Sequence, residues 1–202
     1  MAYPLPFSED VRDATQEICN VAMGVAGEAL AEYAGVFVEL PIPKIRFVDP
    51  ESVTETLGGL RDSGRISGVI REVTLGESVH YALVAITEEG LSDLARQRDF
   101  SINNDSDAEA LLKELADVIT RHCLPTLEEQ VGLDNLQLAP VQLIEHNCPL
   151  ETFSIPQIAA HEKLMAVEIN YHLEGHPFNC DLVLLLPETA VPRWVQRVEE
   201  FL

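Results

Sequence analysis

Residues 11–34, VRDATQEICNVAMGVAGEALAEYA, decide the fold, because they form the first of two similar predicted helices. Apolar side chains recur in this stretch at steps of three and four residues, which is the period of an amphipathic helix. Ser8, Glu9 and Asp10 supply capping residues before the stretch, and Gly35 is placed to end it. The sequence therefore predicts a long helix with one apolar face.

The second half of the chain repeats the first at a distance of 97 residues. Residues 114–132, ELADVITRHCLPTLEEQVG, align with residues 17–35 in this way. The shared pattern is Glu, two residues, Asn or Asp, 22 residues and Pro, which indicates an internal duplication, with chance in an apolar-rich sequence as the alternative. The matched positions are Glu17 and Glu114, Asn20 and Asp117, Gly35 and Gly132, and Pro43 and Pro140.

Each half reads as a helix, an extended segment, a hairpin and a shorter helix. Strands are predicted over 66–74, 79–87, 164–173 and 178–186, and shorter helices over about 89–98 and 188–201. We therefore expect an α+β fold, a single domain over 1–202, built from two pseudo-symmetric α-β-β-β-α repeats. The repeats span about 8–98 and 106–202, and their helices pack on a mixed or antiparallel sheet.

Charge and hydropathy exclude several classes of function. The net charge is −21, and only 13 Lys and Arg residues are spread over the chain, so we expect neither nucleic-acid binding nor docking on an anionic membrane. No apolar run reaches the roughly 18 residues of a membrane helix, and residues 1–9 do not resemble a signal peptide. We therefore expect a cytoplasmic protein. The acidic surface indicates either simple solvation or a partner with a basic patch.

Cysteine and histidine patterns give no strong metal or nucleophile signal. The four cysteines form no CxxC and read as reduced core residues. His172, His176 and Cys180 stand four residues apart, but Gly175 makes a turn between them, so a metal-sensing role is a weak alternative and we expect no bound metal. No GxxxxGK or GxGxxG phosphate loop is present.

A polar stripe on the first helix is the main functional candidate. Asp13, Glu17, Asn20 and Gly24 follow one another at steps of four, three and four, so they line one side of the helix. Glycine inside a helix costs about 1 kcal/mol relative to alanine. Gly24 therefore suggests that another molecule approaches the backbone here, while glycine for internal helix packing on a solvated face is the alternative.

These residues resemble the CheC, CheX and FliY phosphatases of bacterial chemotaxis. The resemblance lies in Asp13-x3-Glu17-x2-Asn20 with Pro43 after 22 intervening residues, and in residues 20–26, NVAMGVA. The length and the duplication look most like CheC. In the order of predicted helices and strands, the resemblance covers nearly the whole chain. In residue identity it is strong only from Asp13 to Pro43.

The resemblance implies hydrolysis of the aspartyl-phosphate on a CheY-like receiver domain. Asn20 would position the attacking water, because an amide accepts a hydrogen bond without adding charge beside the phosphoryl group. Glu17 would pair with a basic residue of the receiver. Asp13, Gly24 and Pro43 would contribute to substrate binding. Magnesium would be held by the receiver's own acids, so no cofactor is expected on this chain.

The second helix departs from the family pattern. Asp117 replaces the amide, Ala110 replaces the first acid, and Arg121 replaces the glycine. We expect one working site and a degenerate second site at Glu114 and Asp117. The rival hypothesis is a non-catalytic module that binds a receiver or a CheD-like adaptor, and self-association as a homodimer is left open.

Overall fold

One antiparallel sheet carries two long helices on one of its faces. The computed structural model describes residues 2–3, 5–60, 64–200 and 202, and in these ranges the sheet has nine strands, all paired antiparallel. The predicted α+β class is therefore confirmed. The strands are β1 (Ala2–Tyr3), β2 (Val38–Glu39), β3 (Lys44–Val48), β4 (Arg65–Leu75), β5 (Ser78–Thr87), β6 (Gln137–Leu138), β7 (Gln142–Pro149), β8 (Leu164–Leu173) and β9 (Asn179–Pro187). The helices are α1 (Glu9–Ala34), α2 (Glu88–Gln97), α3 (Asp105–Val131) and α4 (Val191–Glu199).

Helix α1 ends where the sequence predicts and begins at Glu9, two residues before the predicted start. The Ser8 hydroxyl accepts a hydrogen bond from the Val11 backbone N–H at 3.3 Å, which satisfies one of the free donors of the first turn. Gly35 ends the helix in the left-handed conformation with φ of 70°, and its N–H donates to the Ala31 carbonyl. Gly132 ends α3 in the same way with φ of 64°, so the predicted repeat extends to the backbone of both helix ends.

Helix α3 differs from the prediction at its start and at Pro125. Ser106 to Glu109 has the sequence of a capping box and predicts the helix start there. This prediction is wrong, because Asn104 is the N-cap and accepts from the Asp107 N–H at 3.1 Å. Asn104 caps the helix in place of Ser106, because asparagine is among the preferred N-cap residues. Proline inside a helix predicts a bend or an interruption, but Pro125 lies exposed inside one continuous α3.

The two long helices pack against each other and run antiparallel. Cys19 in the first half of α1 lies near Cys123 in the second half of α3, and Tyr33 at the end of α1 lies near Glu114 in the first half of α3. All four cysteines are free and buried. Burial raises the pKa of the Cys123 thiol to about 12, so these cysteines serve as core residues.

The two halves exchange their hairpins. Strand β3 of the first half pairs with β8 of the second, with Lys44 opposite Glu168. Strand β7 of the second half pairs with β4 of the first, with Gln142 opposite Ile70. Strands β5 and β9 join these two arrangements at the centre of the sheet. Neither half could therefore bury its own hairpin without the other.

The sheet face opposite the helices is covered by segments that the sequence reading left as loops. Two 3₁₀ segments, Pro50–Thr56 and Gly58–Leu60, pack there over a second apolar cluster that includes Phe153. The Gly59 backbone is held by Asp181, which accepts its N–H at 3.1 Å, and by Asn179, which donates to its carbonyl. This connector was predicted as polar loop because its apolar residues are few and widely spaced.

The last helix was predicted as one element over 188–201. The structure instead has a 3₁₀ turn, Glu188–Ala190, followed by α4. The aromatic residues of this segment, Trp194 and Phe201, are expected in the core. Trp194 is buried, and its indole N–H donates to the Thr15 hydroxyl at 3.1 Å. Phe201, given the same expectation, lies outside the described residues. In the part of the chain that the structure describes, no helix has both the length and the hydropathy to cross a membrane.

Candidate functional site

The polar stripe of α1 faces outward as predicted. Asp13, Glu17 and Asn20 are exposed and Gly24 is half-buried, while Cys19, next in sequence to Asn20, is buried. Within the described residues, neither Glu17 nor Asn20 has a hydrogen-bond or ion-pair partner. Both side chains are therefore available to another molecule.

Asp13 is less free than its two neighbours on the stripe. Its carboxylate accepts from Arg12 at 2.8 and 3.0 Å, and Arg12 also donates to Glu9 at 3.0 Å. These are exposed ion pairs, which are weak and exchange readily with solvent. A basic group on a partner could replace Arg12, so Asp13 remains a candidate contact at the edge of the site.

Pro43 lies apart from the exposed stripe residues. It is buried, and its carbonyl accepts a hydrogen bond from the Gln16 side-chain amide at 2.8 Å. Its side chain is therefore not placed to touch a partner. What Pro43 does in this structure is fix the preceding loop, Leu40–Pro43, beside α1, a role that the sequence reading did not foresee.

The two glycines of α1 have different structural reasons. A Cβ atom at Gly27 would lie 2.8 Å from Cδ1 of Leu40, so this glycine accommodates the loop. A Cβ atom at Gly24 would meet nothing within 4 Å. Internal packing therefore explains Gly27 and does not explain Gly24, which leaves the helix backbone bare at one point of its exposed face.

The counterparts on α3 are engaged in ion pairs. Asp117 accepts from the buried guanidinium of Arg71 and from Arg121, and Glu114 lies 3.5 Å from Arg98. Burial by itself raises the pKa of Asp117, but the hydrogen bonds from Arg71 and Arg121 outweigh it and hold the pKa below its usual value. The Asp117 carboxylate is thus used inside the molecule, whereas the Glu114 pair is exposed and, like that of Asp13, weak.

Arg71 was missed by sequence reasoning. It projects from β4 toward α3, where it also donates to the Thr120 hydroxyl at 2.7 Å, and only 3% of its surface is exposed. On β8, the residues that face the cluster under the helices, Val167, Ile169 and Tyr171, are all uncharged. A signal was available, because Arg71 is the one charge among the alternating residues Val69, Val73 and Leu75 on the core-facing side of the strand.

His176, one of the histidines considered as metal ligands, has another role. His176 Nδ1 lies 3.1 Å from Asp93 Oδ2 and 3.0 Å from the Gln97 amide, which ties the β8–β9 turn to α2. Cys180 is buried. Within the described ranges, no group of three or more His, Cys, Asp or Glu side chains is arranged to hold a metal ion.

Comparison with solved structures defines the class of fold. The chain is similar to FliY of Thermotoga maritima, with a TM-score of 0.70, 16% identity, and coverage of 97% of this chain and 99% of that chain. It is also similar to the chemotaxis protein CheX of Desulfovibrio desulfuricans (TM-score 0.56, 14% identity, 84% and 99% covered). A third match is the FliG–FliM complex of H. pylori (TM-score 0.59, 10% identity, 94% and 100% covered).

These likenesses show that the chain has the fold shared by CheX, FliY and FliM. No protein-family model matches the sequence, and no curated protein matches it. The predicted resemblance is therefore confirmed at the level of the fold. Nothing in the comparisons favours CheC over the other proteins that share this fold.

Proposed function

We propose that this chain is a phosphatase that hydrolyses the aspartyl-phosphate of a response-regulator receiver domain in the cytoplasm. One observation carries the proposal: Glu17 and Asn20 project together from α1 without internal partners, whereas their counterparts Glu114 and Asp117 are held in ion pairs. Two unpartnered polar groups one helical turn apart suit insertion into a pocket on another protein.

The proposed reaction needs placement more than covalent chemistry. Water attacks phosphorus, the bond from phosphorus to the aspartyl oxygen breaks, and the products are inorganic phosphate and a free aspartate carboxylate. The Asn20 amide oxygen would accept a hydrogen bond from the attacking water and set its direction. An amide is suited to this role because it brings no negative charge toward the phosphoryl group.

Glu17 would hold the two proteins in register. Its carboxylate lies one turn before Asn20 and could form a charge-assisted hydrogen bond with a lysine or arginine of the receiver. Gly24 would let the receiver approach the helix backbone one turn after Asn20. A divalent metal would belong to the receiver's acidic pocket rather than to this chain.

The test uses receiver domains phosphorylated with acetyl phosphate and measures phosphate release. We expect Asn20→Ala to lower kcat by about 100-fold, in the range that positioning groups contribute, with a smaller effect on KM. The matched pair Glu17→Ala and Glu114→Ala separates the two helices, because the residues are repeat counterparts and both are exposed. Only the Glu17 variant should lose activity. Equal rates for wild type and Asn20→Ala would reject the assignment.

A non-catalytic binding module is the second candidate function. The FliM match supports it, because that protein was solved in complex with FliG, so the same fold serves in a protein assembly. In this case the chain would bind a receiver, or a CheD-like adaptor, without hydrolysis. Tight binding to a phosphorylated receiver whose phosphate lifetime does not change would favour the module over the phosphatase.

A further inference from the structure

The helix face that carries Asn20 is bordered by exposed apolar side chains. Of the nine large hydrophobic residues that are exposed in the described part of the chain, five lie between residues 21 and 42. Ile42 is 76% exposed, Leu40 38% and Val21 39%. Exposed apolar groups concentrated next to polar site residues are typical of a protein-binding surface.

The loop Leu40–Pro43 runs along α1 beside Asn20 and Gly24. Gln16, Asn20, Gly24 and Gly27 follow one another at steps of four, four and three, so they lie on one side of the helix. The loop contacts the two ends of this line, through the hydrogen bond from Gln16 to the Pro43 carbonyl and the packing of Leu40 on Gly27. Asn20 and Gly24 lie between these contacts.

Val21 and Val25 border the line on its other side. At about 100° per residue, both valines project on the opposite side of the Asn20–Gly24 line from Gln16 and Gly27. Their exposed fractions are 39% and 40%. Asn20 and the bare backbone of Gly24 therefore form a strip between two apolar borders, one from the helix and one from the loop.

The charge around this strip is strongly one-sided. Helix α1 has a single basic residue, Arg12, which is already engaged by Asp13 and Glu9. Its acidic residues, all exposed, are Glu9, Asp10, Asp13, Glu17, Glu28 and Glu32. A partner that binds here must therefore present basic groups around an apolar centre, because an acidic face would be repelled.

We infer that the receiver recognised by this site carries an apolar side chain flanked by lysine or arginine next to its phosphorylation pocket, and that Ile42 and Val21 select it by packing around that side chain over Gly24. This inference rests on the proposed function for the identity of the partner as a receiver. The α3 side lacks such a strip, because Arg121 occupies the position equivalent to Gly24.

Binding measured without turnover tests the inference separately from catalysis. The probes are receiver domains in the beryllofluoride-bound form, which mimics the phosphorylated state, titrated calorimetrically. We expect Ile42→Ser to weaken binding by about tenfold or more, as loss of a central apolar contact does. Val79→Ser is the control, because Val79 is 40% exposed but lies on β5, remote in sequence from the site. Affinity should also fall as salt rises.

Several outcomes would overturn the inference. Equal receiver affinities of the Ile42→Ser and Val79→Ser variants would show that Ile42 does not select the receiver, even if Asn20→Ala abolishes hydrolysis. Conversion of a wild-type dimer to a monomer by Ile42→Ser would assign the surface to a second copy of the chain. If Ile42→Ser weakens binding while wild type releases no phosphate, the docking surface stands and the proposed phosphatase activity fails.

Discussion

The guanidinium of Arg71 holds the carboxylate of Asp117 at the position on α3 that corresponds to Asn20 on α1. Arg71 is buried under α3, whereas the helix-facing residues of β8, Val167, Ile169 and Tyr171, carry no charge. The same structural unit thus has two uses. One copy leaves its polar residues free, and the other uses them to neutralise a buried charge. The carboxylate on α3 and the arginine on β4 therefore depend on each other in the folded protein.

Asp117→Ala should lower the free energy of unfolding by about 2 kcal/mol, because it leaves the buried Arg71 without its carboxylate. The full cost of an unpaired buried charge is reduced here since Asp117 is 38% exposed and Thr120 still accepts from Arg71. Urea denaturation measures the change. Asn20→Ala, which removes no internal contact, is the matched control and should change stability by less than about 0.5 kcal/mol. Equal effects of the two substitutions on stability would contradict the difference between the engaged carboxylate on α3 and the free amide on α1.

Gly24→Ala should stabilise the protein by about 1 kcal/mol, because alanine favours the helix and the added methyl group meets open space. We expect the same substitution to weaken receiver binding, since the methyl group fills space beside the helix backbone that a partner would occupy. Gly27→Ala is the matched control on the same helix, and it should gain less stability because Leu40 must move. Thermal unfolding and receiver titration measure the two effects. A Gly24→Ala variant with unchanged affinity would show that no partner approaches the backbone there.

Gly24→Arg copies the residue that α3 carries at the equivalent position. We expect it to abolish receiver binding while the protein remains folded, since the position is open to solvent. Circular dichroism checks folding, and pull-down with a phosphorylated receiver checks binding. Retained binding would mean that the α3 arginine is not what closes the second site.

The sequence predicted the repeated elements because their signals are local. Apolar steps of three and four and the terminal glycines Gly35 and Gly132 depend only on neighbouring residues, and both glycines adopt the expected left-handed conformation. The hairpin exchange was not predicted, because which hairpin pairs with β3 depends on contacts distant in sequence. The roles of Gln16 and Leu40 were missed for the same reason, since their contacts form only once the loop folds back on α1.

His80 should make the protein less stable in mild acid. Burial lowers the pKa of this side chain to about 4 against the usual 6.5, with a partly opposing backbone hydrogen bond at Leu75. The folded state therefore binds fewer protons than the unfolded state between these values, and stability falls as pH drops from about 6.5 to 4, by about 3 kcal/mol for this residue. His80→Leu should remove this contribution. Denaturation at pH 7 and pH 4.5 compares the variant with wild type, and an equal acid sensitivity of both would contradict the assignment.

Asp181 should act in the opposite direction. Burial raises its pKa to about 6, although hydrogen bonds from Asn170 and the Gly59 backbone and the charge of Lys44 partly lower it. The folded state therefore binds more protons than the unfolded state between about pH 4 and 6, so this residue's contribution is complete below the unfolded pKa and is lost as pH rises, by about 3 kcal/mol. This pH dependence opposes that of His80 over the same range. The stability of the wild type alone would therefore reveal neither contribution.

The Asp181→Asn variant separates the two contributions. Asparagine cannot ionise, so the stability of the variant relative to wild type should improve steadily as pH rises from 4 to 6. In the variant, the acid sensitivity due to His80 is no longer offset and becomes visible. Gln130→Ala, an exposed substitution on α3 that changes no ionisable group, should show a constant difference from wild type over the same range. If the Asp181→Asn difference is also constant with pH, the carboxyl group that holds Gly59 is ionised throughout, and burial does not control its titration.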